Sequence, residues 1–215
     1  MSTHSSAPDP SASWTTSEVL EALLDREERG AWEQFDARYR PILSGVLRRT
    51  GLGADDADDL SQEVLLQFVR ALREGRYERR RAGLRAWLLT AARSRAIDYL
   101  RRRRPDPVRD TALAQLPGED QLAELWEAEA RRRILAEALE LLRRSGMDPS
   151  TVLAFERYAL EEREAGEVAR ALGMRVGAVY VAKHRCLTRL RQHVHELTLA
   201  YGEDGASVDE LLPRS

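Results

Sequence analysis

The sequence predicts an all-α protein of two small helical domains joined by a flexible linker, the second a helix-turn-helix domain. Three observations predict it. No segment shows the alternation of a half-buried strand, whereas apolar residues recur at helical spacing through most of the 215 residues. Two basic helical segments, LRAWLLTAARSRAIDYLRRRR at 84–104 and EVARALGMRVGAVYVAKHRCLTRLR at 167–191, are separated by a polar stretch holding Pro105, Pro107 and Pro117. Within the second, a short apolar-faced segment, Gly173 and a longer segment follow the plan of helix, glycine turn, helix.

The elements follow in order. Residues 1–13 are rich in Ser and Pro with no apolar period, the composition of a disordered tail. Thr15 and Glu18 have the spacing of a capping box for a helix through Val19, Leu20, Leu23 and Leu24, and Gly30 is expected to end it. Trp32, Phe35 and Tyr39 then form an aromatic stripe read as core, and Pro41 marks the start of a further helical stretch. GLGADD at 51–56 is a break whose acidic residues suit the next helix start. That helix carries Leu60, Val64, Leu65, Phe68, Val69 and Leu72 on one side and Asp59, Gln62, Glu63 and Gln67 on the other. Periodicity alone reads the second side as a solvated face.

REGRYERRRAG at 73–83 is a basic loop before the helix of 84–104, and 105–120 is the linker. From Gln121, Leu122, Leu125, Trp126, Ile134, Leu135, Ala138, Leu139 and Leu142 predict an amphipathic helix or helix pair. SGMDPS at 145–150 stops it and caps the next with Asp148 or Ser150. The closing unit places a helix over 164–172, a turn at Gly173 and a second helix from Val176 to about Arg191. On a helical wheel Val176, Val179, Cys186, Leu187, Leu190 and Val194 pack inward, Gly177, Ala178, Val181, His184, Arg185 and Thr188 face out, and Lys183 snorkels from near the packing side. The tail beyond His195 has the acidic, Gly-containing composition of a disordered segment.

A formal net charge of −2 predicts no polyanion partner by itself; the distribution does. Arg79–Arg81, Arg85, Arg93, Arg95 and Arg101–Arg104 are countered in their stretch by Asp98 alone, whereas DDADD at 55–59 is purely acidic. Clustered arginines neutralise several phosphates together, and Tyr77, Trp87 and Tyr99 lie among them where unstacked bases could stack, although Trp87 in AWLL reads first as core. The single Cys186 excludes an intramolecular disulfide and a cysteine-rich zinc site, and reads as a small core residue. His193 and His195 are two apart and do not share a helix face, so no metal site is expected. The start of the chain lacks the basic and apolar parts of a signal peptide, and no run is long enough to span a bilayer, which makes the cytoplasm the expected location.

DADDLSQEVLLQF, then LRAWLLTAARSRAIDYLRRRR, then EVARALGMRVGAVYVAKHRCLTRLR, in that order, resemble the sigma-70 type RNA polymerase sigma factors of the extracytoplasmic-function (ECF) group, over about residues 30–195. The resemblance implies a first domain at 14–104 that binds the polymerase clamp and the melted minus-ten element, and a linker at 105–120 that threads toward the active site without doing chemistry. It implies a second domain at 121–197 that binds the minus-thirty-five element and the polymerase flap, with 198–215 as a tail. Asp59, Gln62, Glu63 and Leu66 match the clamp-docking helix. Tyr77, Arg79, Arg80, Arg81, Arg93, Ser94, Asp98, Arg101 and Arg102 match the minus-ten reader, where a base flipped from the stack is held in a loop pocket. Arg175, Gly177, Ala178, Val181, His184, Arg185, Thr188 and Arg189 match the minus-thirty-five reader. The implied partners are core RNA polymerase and promoter DNA, with an anti-sigma factor left open. No membrane, cofactor, metal or small-molecule substrate is implied, and the protein is expected not to be an enzyme, since polymerisation belongs to the core.

Where many relatives carry Thr-Val-Lys-Ser-Arg, this chain has Ala178, Val179, Tyr180, Val181 and Ala182, which removes a hydroxyl and two charges. Fewer polar base contacts remain, shifting readout toward phosphates, thymine methyl groups and DNA shape. Ser94 stands where Asn is common, and Leu84 where Phe is. Two other classes compete. A stand-alone helix-turn-helix regulator would bind duplex DNA as a dimer, needing a self-complementary surface and a two-fold operator. A nuclease would use the carboxylates of 55–59 on a metal, but adjacent acids at a helix start are accounted for by the helix dipole.

Overall fold

A computed structural model describes residues 15–25, 29–78, 83–103 and 116–202. These form eight α-helices: α1 (Thr16–Leu24), α2 (Arg29–Arg49), α3 (Ala54–Arg73), α4 (Leu84–Arg103), α5 (Glu119–Arg144), α6 (Pro149–Phe155), α7 (Ala165–Leu172) and α8 (Val176–Tyr201). No strand occurs among the described residues, so the all-α class holds. The N-terminal tail 1–13, Arg79–Arg81, linker residues 105–115 and the segment after Gly202 lie outside them.

The chain divides into two compact units, Glu18–Arg133 and Ile134 onward, the latter joined by the residues up to Ser17. In the first, α2, α3 and α4 pack around Phe35, Tyr39, Leu43, Val64, Leu65, Phe68, Leu88 and Leu100, all buried. Phe35 stacks on Phe68 at 5.4 Å between ring centroids, and Trp87 meets Phe68 edge-on at 5.1 Å, as the core reading of both aromatics expects. One expected break is shifted and the other absent. Helix α1 ends at Leu24, ahead of the expected Gly30, which is the second residue of α2, and Pro41 lies inside α2. Pro41 deprives the Ala37 carbonyl of its helical donor, but both residues are exposed, so water can take the place of the missing N–H.

Helix α5 starts two residues before the expected Gln121, and its residues up to Arg133 pack in the first unit. Trp126 is buried and stacks toward Tyr39 at 6.2 Å. Glu129, also buried, accepts from Arg49 Nε at 2.6 Å and from Arg132 Nη1 at 2.7 Å on each oxygen. Its carboxylate lies over Gly45 of α2, where a Cβ would stand 2.5 Å from Oε2. The compact units therefore divide at 133/134, thirteen residues beyond the end of the linker drawn from prolines.

In the second unit Asp148 caps α6, accepting from the Thr151 N–H at 3.1 Å. A π turn over Glu156–Leu160 follows α6. Gly173 closes α7 at φ 65°, and Met174 N–H donates to the Ala169 carbonyl at 2.9 Å, which sets the turn into α8. Ala154, Ala165, Val168, Ala169, Val179 and Ala182 form the small-residue core that lets α7 and α8 approach closely. The expectations that the second helix ends near Arg191 and that a disordered tail begins beyond His195 are corrected, since α8 runs to Tyr201. Leu197, Thr198, Ala200 and Tyr201 are buried, Tyr201 Oη donates to Glu137 at 2.8 Å, and Thr16 Oγ1 reaches the Ala200 and Tyr201 carbonyls at 3.1 and 3.0 Å. That hydroxyl satisfies carbonyls that a helix end leaves unpaired.

Candidate nucleic-acid interface

Helix α3 positions the first site. Leu60, Val64, Leu65, Phe68 and Val69 turn into the core, so Asp59, Gln62, Glu63 and Leu66, spaced three and four apart, are left on the opposite exposed face. Leu66 is 39% exposed, an apolar side chain amid polar ones. Of the acidic run, Asp55 and Asp56 stand in the first turn of α3, whose N-cap Gly53 offers no side chain, and Asp58 accepts from the Ser44 hydroxyl. Among the described residues no group of three His, Cys, Asp or Glu side chains could hold a metal ion.

Helix α4 carries the second. Ser94, Arg101 and Arg102 are exposed, Arg93 and Asp98 half-buried, and Arg102 Nε donates to the Asp98 carbonyl at 3.1 Å. Tyr77 is less available than its place among arginines suggested: its ring packs edge-on against Phe68 at 4.9 Å and is half-buried. Arg79, Arg80 and Arg81 fall outside the described residues. Arg93 and Ser94 line a cavity of about 670 Å³ with Ala86, Leu89, Thr90 and Ile97. Its other wall is Glu119, Asp120, Leu122 and Ala123 of α5.

Arg95 and Arg85 of α4 are held by side chains of neighbouring helices. Arg95 donates through Nε and Nη2 to Gln67 Oε1 at 3.1 and 3.0 Å, and Arg85 Nη2 binds Glu127 at 2.9 Å and the Ala123 carbonyl at 2.8 Å. Charge counting along the sequence missed this, because Gln67 and Glu127 lie 28 and 42 positions away.

The third site is the outer face of α8. Arg175, Gly177, Ala178, Val181, His184, Arg185, Thr188 and Arg189 are all exposed, and Val179, Ala182, Cys186 and Leu190 are buried behind them. Val176, placed inward by the wheel, is instead 42% exposed at the first position of α8. Lys183 Nζ sits over the ring of Tyr158, 5.3 Å from its centroid, a cation–π contact inside the unit. Burial, reinforced by the Glu156 charge, pushes the Cys186 thiol up to about 11, so it stays protonated and inert.

Residues 35–105 match the sigma-70 region 2 family, a span that includes most of α2, all of α3 and α4, and every candidate residue of the first two sites. The ECF RNA polymerase sigma factor SigD of Mycobacterium tuberculosis is 33% identical over 188 residues, covering 82% of this chain and 82% of its own. The chain belongs to the ECF sigma factors. The ECF RNA polymerase sigma factor RpoE of Cereibacter sphaeroides is similar at 25% identity over 82% of this chain and 93% of its own. The RNA polymerase sigma factor CarQ of Myxococcus xanthus is similar at 29% over 82% and 98%. These alignments run well past α4, so this ECF sigma factor resembles its relatives in both units. No helix among its described residues is long and apolar enough to cross a membrane.

Proposed function

We propose that this sigma factor docks core RNA polymerase on the exposed face of α3, reads the melted minus-ten element with α4 and the loop before it, and reads the minus-thirty-five duplex with α8. The observation that carries the reading is the α3 face, where Asp59, Gln62, Glu63 and Leu66 are exposed opposite the buried Leu60, Val64, Leu65 and Phe68. A mixed polar and apolar patch on a rigid helix is the composition of a protein interface. In this reading the protein works in the cytoplasm with the polymerase, and the bond-forming chemistry is the core enzyme's. Co-elution with bacterial core RNA polymerase, followed by mapping of start sites from a genomic DNA library, tests it. A stable complex with defined start sites is expected; specific duplex binding without association would favour the dimeric regulator.

Two substitutions separate the DNA contacts. Arg101→Ala with Arg102→Ala removes exposed cations at the end of α4, and is expected to slow promoter opening at least tenfold while leaving initial duplex binding within about threefold, since each lost phosphate contact is a modest electrostatic increment. Permanganate reactivity of unpaired thymines reads the first step and filter binding the second; equal losses would remove these arginines from the minus-ten site. Arg185→Ala, also at an exposed position, is expected to weaken the upstream part of the footprint. Unchanged upstream protection would remove Arg185 from the reader.

A further inference from the structure

The outward stripe of α8 is poor in groups that can hydrogen-bond a base edge. Gly177, Val181, His184 and Thr188 succeed one another at intervals of four, three and four residues, opposite the buried Val179, Ala182, Cys186 and Leu190. At Gly177 a Cβ would meet nothing within 4 Å, so the backbone itself is the surface there. Thr188 already donates its hydroxyl hydrogen to the His184 carbonyl at 3.0 Å. Val181 is 55% exposed, and Tyr180 beside it 52%. Around them stand the exposed Arg175, Arg185 and Arg189, and among the described residues Arg175 and Arg185 have no ion pair. An apolar centre inside a cationic fringe fits a partner that is apolar at one point and anionic around it. The major groove of duplex DNA has this pattern wherever a thymine presents its C5-methyl group between two phosphate backbones.

We propose that Val181 reads thymine methyl groups in the upstream promoter duplex, with bare Gly177 allowing the helix backbone close to the base edges and Arg175, Arg185 and Arg189 holding phosphates. This rests on α8 being the minus-thirty-five reader. Sequence choice there depends on a methyl group, so thymine is distinguished from every base lacking one at the contacted positions.

The test uses holoenzyme assembled from the full chain and bacterial core RNA polymerase, on promoter fragments recovered by start-site mapping. The upstream element is synthesised with thymidine or with deoxyuridine, which lacks only the C5-methyl. Competition for complex formation should favour thymidine by about fourfold per contacted base, the equivalent of about 0.8 kcal/mol for one buried methyl. Val181→Ala, at an exposed position that leaves the core intact, should bind both fragments alike and resemble the wild type on deoxyuridine. Equal wild-type affinity for the two fragments overturns the inference while leaving the sigma reading standing, and assigns the exposed apolar residues to a protein partner such as an anti-sigma factor. Failure to find any start site removes the reading itself, and the inference with it.

Discussion

Asp59→Arg combined with Gln62→Ala is expected to abolish co-elution with core RNA polymerase while leaving the circular dichroism spectrum and melting temperature of the free protein unchanged. Both side chains are exposed on α3, and neither takes part in the core formed by Val64, Leu65 and Phe68. Surface substitutions of this kind usually change stability by no more than about 0.5 kcal/mol. The charge reversal, by contrast, puts a cation where the docked partner faces a carboxylate, and a like-charge contact inside an interface costs several kcal/mol, a loss of affinity of about a hundredfold or more. Leu66→Ala should act in the same direction more weakly, by about tenfold. Retained co-elution of the double variant would move the polymerase contact away from α3.

Most helices were legible from spacing because their stripes are regular. In α3 the positions named from periodicity are the buried ones, with Leu72 at the margin, and the outward positions of α8 are exposed as the wheel requires. The readings that failed are those where a local signal was overruled by packing. Pro41 is a breaker, yet the buried Phe35, Tyr39, Ile42 and Leu43 of one continuous helix hold the backbone through it. The last turns of α8 looked like a tail because their composition was averaged with the acidic residues that follow, although Leu197 and Tyr201 continue the buried stripe of Val194. For the site, the positions on α8 could be read from the sequence, since facing out needs only the helix period. The state of Tyr77, Arg85 and Arg95 could not, because each is fixed by a partner on another element that the helix period does not reveal.

Gly45→Ala should destabilise the first unit, against the ordinary effect of that change in a helix. Alanine is favoured over glycine by about 0.8–1.0 kcal/mol at a helix interior, and Gly45 lies well inside α2. Its Cβ, however, would stand 2.5, 2.6 and 2.8 Å from Oε2, Cδ and Cγ of Glu129. That side chain, only 8% exposed, cannot swing away without leaving Arg49 and Arg132. Overpacking of this kind costs about 1–3 kcal/mol, and moving the carboxylate adds the loss of its charge-assisted bonds. A net loss of about 1–3 kcal/mol is expected, read as a lower urea midpoint. In the Glu129→Ala background the obstructing atoms are gone, and Gly45→Ala should then stabilise by up to about 1 kcal/mol. A sign reversal between the two backgrounds is thus the expected result of the cycle, and the same effect in both would show that the notch does not hold α5 on α2. Acid should reproduce the loss of Glu129. Burial alone would raise its carboxyl, but the hydrogen bonds and charges of Arg49 and Arg132 more than reverse this and hold it below its ordinary 4.5. Its contribution is therefore complete above about pH 4.5 and is lost as pH falls through the lower folded value, so Glu129→Ala should flatten the acid limb of the stability curve and leave the neutral and alkaline limbs parallel to wild type.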